Sequence, residues 1–205
     1  MNALKSRAAL ALVAATLAAC STPTPAPVLL TLPPVSAALA ATGTAVPAAA
    51  ASSPLLAVRR IAIPEYLVAR RVRYRAEAST LAEWPNTYWA ERIEIGVSRE
   101  FFAALRPQLP GWALCETNCG DQAPALSLQV EIAPMDYVRS AQKLQARARI
   151  TLSGAGAAPQ VLQTQELAYE LPASADSAQA HAQTIATLVQ QGAAAAAPLV
   201  RAAKP

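Results

Sequence analysis

The chain is poor in the residues that carry most enzyme chemistry: among 205 residues it has one histidine, two phenylalanines, two methionines and three cysteines. A single histidine, His181, excludes any metal centre built on several imidazoles. No carboxylate stands three or four residues from it to make a helical ligand pair. In its alanine-rich surroundings His181 reads as a solvated or partly buried side chain, not a base. The sequence Gly-x-Ser-x-Gly, which would place a serine on a nucleophile elbow, does not occur. Acidic residues number thirteen. Glu131 with Asp136, and Glu166 with Glu170, are spaced for solvent-facing strand positions as readily as for an acid-base pair. No catalytic residue, cofactor or metal ligand is therefore expected, and the chain reads as a non-enzyme. The net charge is +4, of which Lys5 and Arg7 supply two, so the chain beyond residue 19 carries +2. That balance does not imply a nucleic-acid partner.

What the chain does have begins at its start. Lys5 and Arg7 precede a short, acid-free apolar run from Ala8 to Ala19. The run is too short for a membrane-spanning helix and has the proportions of a signal peptide. It ends Leu17-Ala18-Ala19-Cys20, which fits a lipobox, so cleavage before Cys20 and diacylation of its thiol are expected. Residue 21 is serine, not aspartate. That favours delivery to the outer membrane, with the chain facing the periplasm. Past Cys20 no apolar run is long enough to cross a bilayer.

Residues 20–54 carry no charge and are dominated by proline, alanine, threonine and serine, the composition of an extended tether. Within it Val28 to Leu32 has strand composition and is able to dock on a partner or on the domain edge. The domain is expected over 55–205. Alternation predicts strands at Leu55–Ile63, Arg70–Arg75, Ala125–Ile132, Lys143–Leu152 and Val161–Leu171, with a short one at Trp112–Leu114. Trp89, Ile93, Val97, Phe101 and Leu105 recur every four residues, predicting an amphipathic helix over Tyr88–Leu105 that Pro107 stops. A second helix is predicted over Asp176–Ala197, capped by Ser174 or Asp176. The order β-β-α-β-β-β-β-α predicts an α+β fold, a mostly antiparallel sheet with two helices packed on one face.

Two features suit binding and stability. With Cys20 acylated, Cys115 and Cys119 are an even pair of thiols in an oxidising compartment, which favours a disulfide. So short a loop gains about 2 kcal/mol or less, enough to pin one turn. The second predicted strand places Arg71, Arg73 and Arg75 on one face and Val72 with Tyr74 on the other. That face is either a solvated, aggregation-guarding surface or an electrostatic contact for an acidic partner or anionic headgroups.

Ile63-Pro64-Glu65-Tyr66-Leu67, the arginine strand a few residues on, and Trp89-Ala90-Glu91 before an amphipathic helix together resemble the ABC-type transport auxiliary lipoproteins, of which the paraquat-inducible lipoprotein is one. The likeness runs over roughly 55–197. Val68-Ala69 stands where that family usually has an acidic residue followed by arginine. The resemblance implies a non-catalytic module: a lipid-anchored partner of a periplasmic MCE-domain protein in a lipid transport system, forming a homo-oligomeric ring. A different reading also fits the residues, a stand-alone envelope-maintenance lipoprotein that binds peptidoglycan or another periplasmic protein.

Overall fold

A computed structural model describes residues 25–34, 53–116, 119–154 and 159–203. The signal segment and Cys20 lie outside the described residues. Ten regular elements follow one another: β1 (Val28–Leu30), β2 (Leu55–Val58), β3 (Arg71–Arg75), β4 (Leu81–Trp89), α1 (Ile93–Leu105), β5 (Ala113–Cys115), β6 (Leu126–Val138), β7 (Lys143–Gly154), β8 (Val161–Pro172) and α2 (Ala178–Ala202). Among the described residues the fold is α+β, with two α-helices and one eight-stranded sheet.

The sheet is mixed and mostly parallel in its pairings, which corrects the mostly antiparallel expectation. Pairs β1–β4, β2–β5, β2–β6 and β3–β6 are parallel, while β3–β4, β6–β7 and β7–β8 are antiparallel. The physical reason is that alternation reports which face a residue occupies and is silent on strand direction. Short turns force the long hairpins β6–β7–β8 to reverse; β1, β2, β3 and β5 reach the sheet through longer connections that leave either direction open.

Two strands escape the expected order. The first is β4, which contains Pro85 and Asn86. Its backbone absorbs them in an irregularity where Asn86 takes a φ of 49°, and pairing resumes on either side. Trp89 accordingly closes β4, donating its backbone N–H to Arg70 O at 2.7 Å, and the helix starts only at Ile93. The second is β1, which adds to the edge of β4. Asn86 Nδ2 donates to the carbonyls of Pro25 and Ala26, and Leu32 is buried in the main core, so this part of the proline-rich segment is built into the domain. Strand β6 also runs past the expected end at Ile132. Its register against β7 slips between Ile132 and Met135, so Pro134 sits where no ladder N–H is required.

One face of the sheet holds the core. Leu126, Leu128, Val130 and Ile132 of β6 and Leu144, Ala146, Ala148, Ile150 and Leu152 of β7 are buried, while Gln129, Glu131, Arg147 and Arg149 between them are exposed. Both helices share this core: Ile93, Val97, Phe101 and Leu105 from α1, and Ile185, Leu188, Val189 and Val200 from α2. Each such side chain contributes about 1.5–3 kcal/mol on burial. Alanines bring α2 close, and a Cβ on Gly192 would meet Phe101 Cε2 at 3.7 Å. The α2 start is capped by Ser177, whose hydroxyl accepts from Ala180 N at 3.1 Å, one residue beyond the expected caps.

His181 is buried inside this core, its ring stacked on Tyr137 at 4.6 Å between centroids and edge-on to Trp89 at 6.3 Å. Its Nδ1 has no hydrogen-bond partner among the described residues. Burial pushes its pKa from 6.5 down to about 3, because a charged imidazolium would lie among apolar rings. The folded protein therefore holds His181 neutral where the unfolded chain protonates it. Stability from this residue is full above pH 6.5 and is lost as pH falls from there toward 3. At pH 5 the loss is about 2 kcal/mol. Melting curves of wild type and His181→Phe between pH 7.5 and 5 should show a shallower decline for the variant; parallel declines would contradict a buried neutral histidine.

Candidate functional site

Pro64 opens a single 3₁₀ turn, Glu65–Leu67, closed by Leu67 N–H to Pro64 O at 2.9 Å and Val68 N–H to Glu65 O at 3.0 Å. The turn presents Tyr66 to the arginine strand. Tyr66 donates its hydroxyl to Asp136 Oδ1 at 2.9 Å, and its backbone carbonyl accepts from Arg73 Nη1 at 2.7 Å. Arg75 Nη2 reaches the other oxygen of Asp136 at 2.9 Å, and its guanidinium lies 5.7 Å from the Tyr66 ring centroid. Burial, and then the hydrogen bond and charge of Asp136, push the Tyr66 hydroxyl above its usual range against the opposing effect of Arg75. Tyr66 is a neutral donor at any physiological pH.

Arg71, Arg73 and Arg75 lie at alternate positions of β3, with Val72 fully buried behind them and Tyr74 packed against the core. Arg71 Nε and Arg73 Nε each approach Glu83 at 3.3 Å, and Arg71 lies over the Tyr88 ring at 5.1 Å. Three guanidiniums thus share two carboxylates, leaving one positive charge in excess. Their exposure differs in a way that sorts their roles: the Arg71 side chain is 48% exposed and Arg75 is 19%, against 15% for its partner Asp136. Arg71 is a surface cation. Arg75 is a half-buried brace. Glu83 and Asp136 are the residues sequence reading missed. Asp136 reads as solvent-facing, and its partner lies 61 residues away with no local signal to link them.

Behind this face a second cluster ties β3 and β4 to the start of α2. Arg139 pairs with Asp176 at 2.9 Å, donates to the Tyr74 hydroxyl at 2.9 Å, and covers the Trp84 ring at 4.3 Å. Trp84 in turn touches Tyr74 and Tyr137. Asp176, expected as a helix cap, is spent on this pair. The Asp176 hydrogen bond holds the Arg139 guanidinium protonated above its ordinary range.

Cys115 and Cys119 are joined, with their Cα atoms 5.3 Å apart. Cys115 ends β5, so the bridge ties the end of that strand to Cys119. Among the described residues no three His, Cys, Asp or Glu side chains converge as a metal ion would need, and no helix is long and apolar enough to cross a membrane. The arginine strand is thus a cationic face held in place by ion pairs and hydrogen bonds.

The sequence profile of the family described as the ABC-type transport auxiliary lipoprotein component matches residues 14–197. The chain belongs to that family. As an auxiliary lipoprotein of ABC-type transport it has a transport-associated, accessory role. No curated protein matches it in sequence. Its fold is shared with a solved but uncharacterized protein, at a TM-score of 0.67 and 19% identity, covering 86% of this chain and 99% of that one. A Xanthomonas campestris protein of the DUF330 family shares it too, at a TM-score of 0.59 and 12% identity, covering 74% of this chain and 88% of the other.

The short motifs that resemble the family have structural work in this auxiliary lipoprotein. Pro64-Glu65-Tyr66-Leu67 positions the tyrosine that organises Arg73, Arg75 and Asp136. In Trp89-Ala90-Glu91 the tryptophan is core, Ala90 N–H donates to Leu30 O at 2.8 Å to hold β1, and both Glu91 oxygens accept from Arg99 Nη1 at 2.7 and 2.8 Å to fix the first turns of α1.

Proposed function

We propose that this lipoprotein is a non-catalytic auxiliary component of an ABC/MCE-type system that moves lipid between the inner and outer membranes. In this reading it is anchored to the outer membrane through acylated Cys20, faces the periplasm, and forms a homo-oligomeric ring that receives an MCE-domain partner. The observation that supports it best is the β3 face: a surplus of guanidinium on a strand locked by Tyr66, Glu83 and Asp136. A rigid cation pattern steers and orients an acidic protein surface with little ordering cost on binding.

The test separates contact from folding. Arg71→Glu, alone and with Arg73→Glu, should weaken capture of the MCE-domain protein by about tenfold or more, with the loss greatest at low salt. The melting point of Arg71→Glu should move little. Unchanged capture in both variants would remove the β3 face from the interface. Light scattering on the full chain in neutral detergent should give one defined oligomer, and a strict monomer at high concentration would overturn the ring.

A further inference from the structure

Among the described residues no helix covers the other face of the sheet, and two depressions on it differ in charge. One, of about 410 Å³, is lined by Glu131, Arg147, Arg149 and Glu166; Arg149 and Glu166 pair across it at 2.9 Å, so its charges balance. The other, of about 670 Å³, lies where β2 meets β6 and is lined by Arg59, Arg60, Ser127, Gln129, Ser153 and Gly154 over a floor of small apolar residues. No aspartate or glutamate lines it. Glu116 shares a smaller cleft with the two arginines on their other side and forms no ion pair with them among the described residues.

The backbone explains why both arginines reach this place. Val58 is level with Leu128 and Ala62 with Glu131, so the β2 side fits one extra residue into the interval. A bulge of this kind breaks alternation and re-aims side chains. Arg59 Nε extends to Ser127 Oγ at 3.4 Å, and Ser127 is level with Ser153 on β7, so two hydroxyls sit side by side beneath the guanidiniums. Two forked cations, paired hydroxyls and a carboxamide, in a depression that no carboxylate among the described residues lines, form the donor set that suits a tetrahedral oxyanion.

We propose that this depression binds a phosphate ester, with Arg59 and Arg60 on its non-bridging oxygens and Ser127, Gln129 and Ser153 donating beneath. The depression, of about 670 Å³, has room for the group that carries the phosphate, and Ala57 and Pro124 contribute small apolar surface to its lining. The shared chemistry is a phosphate ester, supplied either by a phospholipid headgroup or by a soluble phosphate compound. The site lies on a different strand junction from the β3 face and stands whether or not the transport reading does.

The full chain in neutral detergent micelles is titrated by calorimetry in three arms: micelles doped with short-chain phosphatidylglycerol, glycerol phosphate, and inorganic phosphate. Saturable binding is expected in at least the first, weakened about tenfold in Arg59→Gln/Arg60→Gln and largely kept in Arg59→Lys/Arg60→Lys. Arg147→Gln in the balanced depression should bind as wild type does. Binding of the doped micelles alone assigns a lipid headgroup; binding of glycerol phosphate as well assigns a soluble ester. Absence of binding in every arm, or equal binding by wild type and the Gln double variant with both folded by circular dichroism, overturns the proposal.

Discussion

In cells fed labelled palmitate, the wild-type chain should carry label and Cys20→Ser should carry none, with an uncleaved precursor accumulating and the protein no longer retained as an acylated membrane component. The effect is all-or-none because the proposed anchor is covalent and hangs on one sulfur. A diacyl group plus an N-terminal chain contributes about 0.8 kcal/mol per buried CH₂, well past what stable anchoring needs. No run after Cys20 is long enough to span a bilayer. Serine keeps the size of the side chain and removes the thiol that is acylated. Equal labelling of the two chains would contradict acylation at Cys20.

Arg75→Glu should destabilise the folded domain by about 3 kcal/mol, a drop of roughly 6–12 °C in melting temperature. Arg75 and Asp136 are 19% and 15% exposed and 2.9 Å apart, so reversal sets two carboxylates against each other where little water reaches. It also leaves the Tyr66 hydroxyl between them and removes the guanidinium from the tyrosine ring. Arg71→Glu, two turns of alternation away, should cost less than about 1 kcal/mol, because its contact with Glu83 is solvent-exposed. The comparison is done by thermal and urea unfolding of the two single variants. Similar losses for both would contradict the division into a brace and a surface cation.

Much of this was legible because periodicity reports burial well. The apolar positions of β6 and β7, the four-residue stripe Ile93, Val97, Phe101 and Leu105, and the inward Val72 all follow from spacing, and all are buried. What spacing could not give was strand direction, hence the mixed sheet. Nor could it give partners distant in sequence, hence the solvated reading of an Asp136 that braces Arg75. Nor did it find β4 or carry β6 past Ile132: Pro85 and Pro134 both sit at irregularities inside these strands, where the ladder needs no N–H from them. Tyr66 was marked by its motif, but its task needed the turn after Pro64 and the carboxylate from β6 to be seen together.

The role in transport is tested most directly by cross-linking in living cells followed by purification through a tag on the lipoprotein. Wild-type chain should bring down an MCE-domain protein and, through it, parts of an ABC-type transporter, and Arg71→Glu/Arg73→Glu should bring down much less at equal abundance. Recovery of peptidoglycan fragments or an unrelated periplasmic protein, with no MCE-domain protein from either chain, would contradict the account.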